Sequence, residues 1–108
     1  FRGGRTLLEY DPATDRWRRR AAMPTARSGI AAAVLAGKIF VFGGEATTGT
    51  FDEAEAYDPK TDTWTPWASM PTARHGLGAT TVSGRIFVVS GGTRPGGSYS
   101  ALNEVFTP

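Results

Sequence analysis

The sequence contains no cysteine, which excludes disulfides, thiolate zinc sites and cysteine nucleophiles, and leaves the compartment undetermined. No apolar run approaches the roughly 18 residues of a membrane-spanning helix. No charged-then-apolar leader opens the chain, and no membrane partner is expected. The first residue is Phe1 rather than Met, so a cut or processed end is expected there. Charge of one sign is also missing: ten Arg and two Lys face ten acids, for a net +2. That is too near balance for nucleic acid as the main partner. Helical periodicity is absent throughout. Short β-rich runs recur about every ten residues, split by turn signals, which is an all-β pattern.

What is abundant is glycine, proline and self-similarity. Sliding Tyr10–Val41 along by 47 residues lays it on Tyr57–Val88 with 18 identities in 32 positions. Tyr10 falls on Tyr57, Trp17 on Trp64, Arg27 on Arg74 and Gly37 on Gly84. A fixed period of this length decides the architecture before any single residue does.

Each period reads as four strands, a to d. Strand a, Gly29–Leu35 and again Gly76–Val82, has unusually small side chains. Such a strand fits where neighbouring sheets crowd together, as around an axis. Ala36-Gly37 and Ser83-Gly84 read as two-residue hairpin turns. Strand b, KIFVF at 38–42 and RIFVV at 85–89, is apolar after its first residue and is expected to be buried on both faces. It ends at Gly43-Gly44 and at Gly91-Gly92, with Ser90 read as one extra residue forming a bulge or shifted loop start. Strand c follows a longer loop, at Ala54–Tyr57, Leu7–Tyr10 and Leu102–Phe106. The DPATD and DPKTD segments suit type I turns in which Asp bonds local backbone. Strand d is Arg16–Arg20 or Thr63–Trp67.

The run IFVFGG (39–44), EAYDPKTDTW (55–64) and MPTAR (70–74), nearly repeated, resembles the kelch repeat, a β-propeller blade. The resemblance implies an all-β fold of four-stranded antiparallel blades. It divides the chain into a partial blade at 1–22, a complete blade at 23–69 and a second partial blade at 70–108. Phe106-Thr107 departs from the expected Tyr-Asp. Gly43, Gly44, Gly91, Gly92, Tyr10, Tyr57, Trp17 and Trp64 are the repeat signature, and the four aromatics are expected in the core. The ring is incomplete in one chain, and a terminal blade cannot cover its own flank. Two completions follow. Either the chain is a segment of a longer propeller, or copies join head to tail, three chains making six blades, with a redundant strand c displaced or outside. The ring is favoured.

Topology sends the d–a and b–c links to one side, where GGEATTGTFD and GGTRPGGSYSA differ while the scaffold repeats. Long, variable loops on a rigid frame are the expected binding face. Arg27 and Arg74 read either as buried arginines bonding loop carbonyls or as guanidinium groups at a channel mouth suited to carboxylates. Ser28 and His75 join them by resemblance to kelch propellers that bind acidic peptides. His75, as a lone histidine, reads as a surface residue. Glu45, Arg94, Ser98 and Tyr99 are further candidates in the b–c loops. Asp52, Glu53 and Glu55 form an acidic run without a calcium-loop pattern, so no metal is expected. Arg18-Arg19-Arg20 reads as a charged edge that discourages sheet-to-sheet pairing. No cofactor is expected.

The functional expectation is a non-catalytic interaction or scaffold module, its partners other copies and an acidic peptide or protein. The alternative implied by the resemblance is a fragment of a sugar-processing enzyme acting on sialic acid, using Glu45 or Glu53 with Arg27 or Arg74. A copper radical oxidase of the same fold needs a cysteine and two histidines, which this chain lacks.

Overall fold

The computed structural model describes residues 3–108. Phe1 and Arg2, where the 1–22 segment and the cut or processed end were placed, lie outside the described residues. Among the described residues the chain has strands and no helix. β1 (Leu7–Asp11) pairs only with β2 (Arg16–Arg20) in a two-stranded sheet. β3 (Ala31–Leu35), β4 (Lys38–Phe42), β7 (Ala54–Asp58) and β8 (Thr63–Trp67) form a four-stranded antiparallel sheet in the order β3-β4-β7-β8. β9 (Gly78–Val82), β10 (Arg85–Val89) and β11 (Asn103–Phe106) form a three-stranded sheet. The sheets are strands c–d, a–b–c–d and a–b–c of successive blades. A short hairpin, β5 (Glu45–Ala46) with β6 (Gly49–Thr50), orders the first b–c loop.

The local chemistry explains the elements. Ala36 and Gly37 both take positive φ, 52° and 74°, as do Ser83 and Gly84, 51° and 75°. That is the type I′ pattern whose twist matches a hairpin. The Asp11 and Asp58 carboxylates each accept the backbone N–H two residues on, at 2.9 Å, and so hold the DPxTD turns. Strand a is shorter than expected, because Gly29 and Gly76 adopt positive φ and only then does the extended run begin. β3 and β9 are edge strands of neighbouring blades, and they meet: Thr81 Oγ1 donates to Val34 O at 2.7 Å and Gly76 N to Gly29 O at 2.7 Å. The small side chains lie where the sheets converge.

The core lies between the second and third blades. Phe40, Phe42, Ala54 and Ala56 on one sheet face Leu77, Ile86 and Val88 on the other, with Phe106 packed against them. Phe106 stands at the Tyr57 position and lies 5.4 Å from Phe40 and 5.5 Å from Phe42, ring to ring. Each of the Phe, Leu, Ile and Val side chains fully removed from water contributes about 1.5–3 kcal/mol.

Several expectations need correction. Strand b is not buried on both faces in its second copy: Val89 is exposed, with no further blade packed on it among the described residues. Tyr10 and Trp17 are exposed rather than core, whereas Tyr57 is buried and Trp64 half-buried. Among the described residues no other blade packs on the first pair. Ser90 is not an extra residue either. It takes the Gly43 place, with φ 59° against 69°, and accepts from the same arginine position, while Gly91 and Gly92 take the places of Gly44 and Glu45. The longer second copy arises beyond it: β4 to β7 spans Phe42 to Ala54, and β10 to β11 spans Val89 to Asn103.

Candidate functional site: a clamped loop face

Arg27 and Arg74 end the d–a links and turn inward, 2% and 0% exposed. Arg27 donates from Nη1 to Gly43 O at 2.7 Å and Glu53 O at 3.0 Å, and from Nη2 to Glu55 Oε1 at 2.8 Å. Arg74 donates to Ser90 O at 2.7 Å and to Glu104 Oε1 at 2.7 Å. Thr25 and Thr72 complete each set by donating to the second carboxylate oxygen, at 2.6 and 2.8 Å. Burial pulls the Arg27 guanidinium below its usual range, opposed by the charge of Glu55. Of the two readings of these arginines, the geometry is that of buried braces for the b–c loop entrance. A guanidinium pair at a channel mouth is corrected: neither group reaches solvent.

Above the braces, the remaining candidates converge. Ser28 and Glu45 bond each other's backbone, N to O, at 3.2 and 2.7 Å, and His75 and Gly92 do the same one period on, at 3.0 and 2.9 Å. These matched bridges bring Glu45 of the first loop beside His75 of the second link. Glu45 Oε2 lies 2.7 Å from His75 Nδ1, and Glu45 Oε1 accepts Gly96 N–H at 2.9 Å. His75 Nε2 lies 2.9 Å from Arg94 O. Both ring nitrogens face oxygen atoms, Glu45 Oε2 on one side and Arg94 O on the other. His75 is buried, against the surface expected of a lone histidine. Gly29 leaves room for this pair, since a Cβ there would lie 3.3 Å from Glu45 Oε2.

Ser98 holds the loop from within. Its Oγ accepts Arg94 N–H at 3.0 Å, donates to Arg94 O, and lies 3.5 Å from His75 Nε2. Thr50 Oγ1 ties the β5–β6 hairpin to the same loop through Thr93 O at 3.0 Å. What remains open is the Arg94 side chain, exposed, and Tyr99, 91% exposed. The site is therefore a hairpin and a Gly-rich loop clamped by a carboxylate–histidine pair, with a cation and an aromatic ring displayed outward.

The acidic run divides. Glu55 is engaged by Arg27 and Thr25, and burial, then the neighbouring Asp52, pushes the Glu53 carboxyl up. Reading by motif missed Glu55 and Glu104 as arginine partners. The available signal was positional, a glutamate two residues before Tyr57 and before Phe106. Arg20, taken as part of a charged edge, turns into the joint between blades. It donates to Tyr57 OH at 2.8 Å and to Pro59 O at 3.1 Å.

Adjacent antiparallel blades whose small strands converge define the β-propeller class. The Kelch motif matches residues 26–71, and the four-stranded antiparallel sheet within that span is a kelch-type propeller blade. Among solved structures it is similar to one described as the structure of YjhT, at 26% identity and a TM-score of 0.77, over 84% of this chain and 29% of that one. The chain thus spans less than a third of that protein's length. A comparison with curated proteins returns no match.

Proposed function

We propose that this chain is a non-catalytic kelch interaction module whose b–c loop face binds an acidic peptide or protein segment. The clamp carries this reading: the Glu45–His75 contact at 2.7 Å holds two variable loops to one another, while Arg94 and Tyr99 stay unengaged above it. A fixed loop loses less entropy on binding, and an exposed guanidinium favours carboxylates. The sugar-processing alternative draws no support here, since Arg27 and Arg74 are buried against backbone carbonyls. The module also presents open blade flanks, which further blades must cover, from other copies or from the rest of a longer propeller. Titration calorimetry with glutamate-rich peptides tests the binding reading. Arg94→Ala and Tyr99→Ala should each weaken binding about tenfold at unchanged melting temperature. A lysine-rich peptide binding equally well, or both variants binding as the parent does, sinks it.

A further inference from the structure

The chain contains two joints between neighbouring blades, built from matching positions with opposite chemistry. Arg20 closes β2, and Trp67, 47 positions on, closes β8. Each meets the closing aromatic of the next blade's strand c, Tyr57 for Arg20 and Phe106 for Trp67. In the first joint the contacts are polar. Arg20 donates from Nε to the Tyr57 hydroxyl at 2.8 Å and from Nη2 to Pro59 O at 3.1 Å, and its guanidinium lies 3.3 Å from Asp62 and 3.8 Å from Glu9. The Tyr57 hydroxyl donates in turn to Asp62 Oδ1 at 2.7 Å, so the tyrosine oxygen links a carboxylate to a guanidinium. Only 14% of the Arg20 side chain is exposed. A charged donor held this far from water needs such a set of acceptors.

In the second joint the same places are apolar. The Trp67 ring lies 5.5 Å from Phe40 and 6.0 Å from Phe106, and Phe40 lies 5.4 Å from Phe106. The three rings meet tilted or edge-on, the arrangement aromatic pairs favour. Where the first joint has Glu9 the second has Ala56, and where it has Tyr57 the second has Phe106. A guanidinium in the place of Trp67 would therefore find no carboxylate and no hydroxyl at the matching positions. The departure of Phe106 from the tyrosine of the repeat thus has a partner, the departure of Trp67 from arginine. Tyr10 shows that the acceptor half stands by itself. Its hydroxyl donates to Asp15 Oδ1 at 2.6 Å, as Tyr57 does to Asp62, while no arginine bonds to it among the described residues.

We infer that these residues form a pairing rule that decides which blade seats against which. A strand d closing in arginine fits a blade whose strand c carries tyrosine with aspartate five residues on. A strand d closing in tryptophan fits one that carries phenylalanine. The crossed pairs are disfavoured for separate reasons. Arginine against Phe40 and Phe106 is a charge without an acid, which costs far more than the matched pair gains. Tryptophan against Tyr57 and Asp62 leaves the hydroxyl without its donor and packs an indole beside a carboxylate. Rejecting the wrong neighbour in this way is as selective as attracting the right one. By the same rule the face formed by Tyr10 and Asp15 is of the arginine-accepting kind.

A pairing rule must survive transplantation from one joint to the other, and thermal melts of the whole chain read this. In a Trp67→Arg chain, Phe106→Tyr should raise the melting temperature by about 4–8 °C, the shift that one regained hydrogen bond produces in a domain of this size. In the parent the same change should not raise it. The first joint keeps the rule testable should Trp67→Arg fail to fold. There Arg20→Trp with Tyr57→Phe should melt about 4–8 °C above Arg20→Ala with Tyr57→Phe, because an indole can seat on the new ring as Trp67 seats on Phe106. Contacting residues that act as a pair give such non-additive effects, and independent ones do not. Equal melting of those two chains, or the same effect of Phe106→Tyr in both backgrounds, overturns the rule. The loop face takes no part in either joint, so peptide binding and blade pairing fail independently.

Discussion

Arg74 donates to Glu104 at 2.7 Å just as Arg27 donates to Glu55 at 2.8 Å one blade earlier, and both arginines hold the first carbonyl after strand b. A buried pair of this kind adds little over a well-packed apolar pair, but breaking it strands a charge. The repeat conserves the geometry inside one molecule while the loops above it diverge. The braces thus separate a scaffold that must not vary from a surface that can.

Arg74→Ala should destabilise the chain by about 3 kcal/mol, because the buried guanidinium's packing and its bonds to Ser90 O and half-buried Glu104 are lost together. Arg74→Lys should recover only part, since an ammonium lacks the planar fork that reaches Ser90 O and Glu104 together. Arg74→Met with Glu104→Leu should lie near the parent in stability. Urea denaturation followed by tryptophan fluorescence measures all three, and an Arg74→Ala chain as stable as the parent would show that the brace is dispensable.

Ser90→Gly should stabilise by up to about 1 kcal/mol. Ser90 holds φ at 59°, a left-handed conformation that costs an L-residue about 1–2 kcal/mol. Glycine returns part of that gain through the greater freedom of its unfolded chain. Ser90→Val should move the midpoint the other way. Equal midpoints for all three chains would remove backbone strain as the explanation.

The blades and their turns were legible because they rest on short-range chemistry repeated twice. The x-Gly hairpins, the DPxTD turns and the bounds of β2, β4, β8 and β10 emerge where residue type alone places them. Exposure was not legible at the ends. Tyr10 and Tyr57 are the same residue in the same motif, and only a neighbouring blade buries one of them. The clamp was legible as a set of candidates and not as a site. Glu45 and His75 lie 30 positions apart in sequence, and the equivalent bridges, Ser28 with Glu45 in the first copy and His75 with Gly92 in the second, hide their meeting across two blades. Ser90 misled because a Gly-Gly pair one residue later imitates the motif.

Asp62 makes the joint between the first and second blades sensitive to acid. The Ala21 N–H, the Tyr57 hydroxyl and Arg20 hold its carboxyl below the usual aspartate range. A depressed folded value stabilises above the unfolded value, near pH 4, and that contribution fades as pH falls through the folded one. The joint should therefore loosen below about pH 4. Asp62→Asn should be less stable than the parent at neutral pH and should converge on it in acid. Thermal melts from pH 7 to pH 2 measure the difference, and parallel curves for the two chains would rule Asp62 out as the cause.

His75→Phe tests the clamp directly. Phenylalanine fills the ring's place but gives Glu45 Oε2 and Arg94 O no partner. Loss of a hydrogen bond to a charged group costs about 1.5–3 kcal/mol, which here falls on the loop rather than on the blades, because the brace below is intact. Amide exchange at Gly96, whose N–H donates to Glu45 Oε1 at 2.9 Å, should accelerate about tenfold or more. Exchange in β4 and β10 should hold. The acidic peptide should bind more weakly through faster dissociation, as a loosened loop must be ordered again on each encounter. Should Gly96 exchange stay as slow as in the parent, the loop is held by Ser98 and Thr50 alone, and the carboxylate–histidine pair has no part in presenting Arg94 and Tyr99.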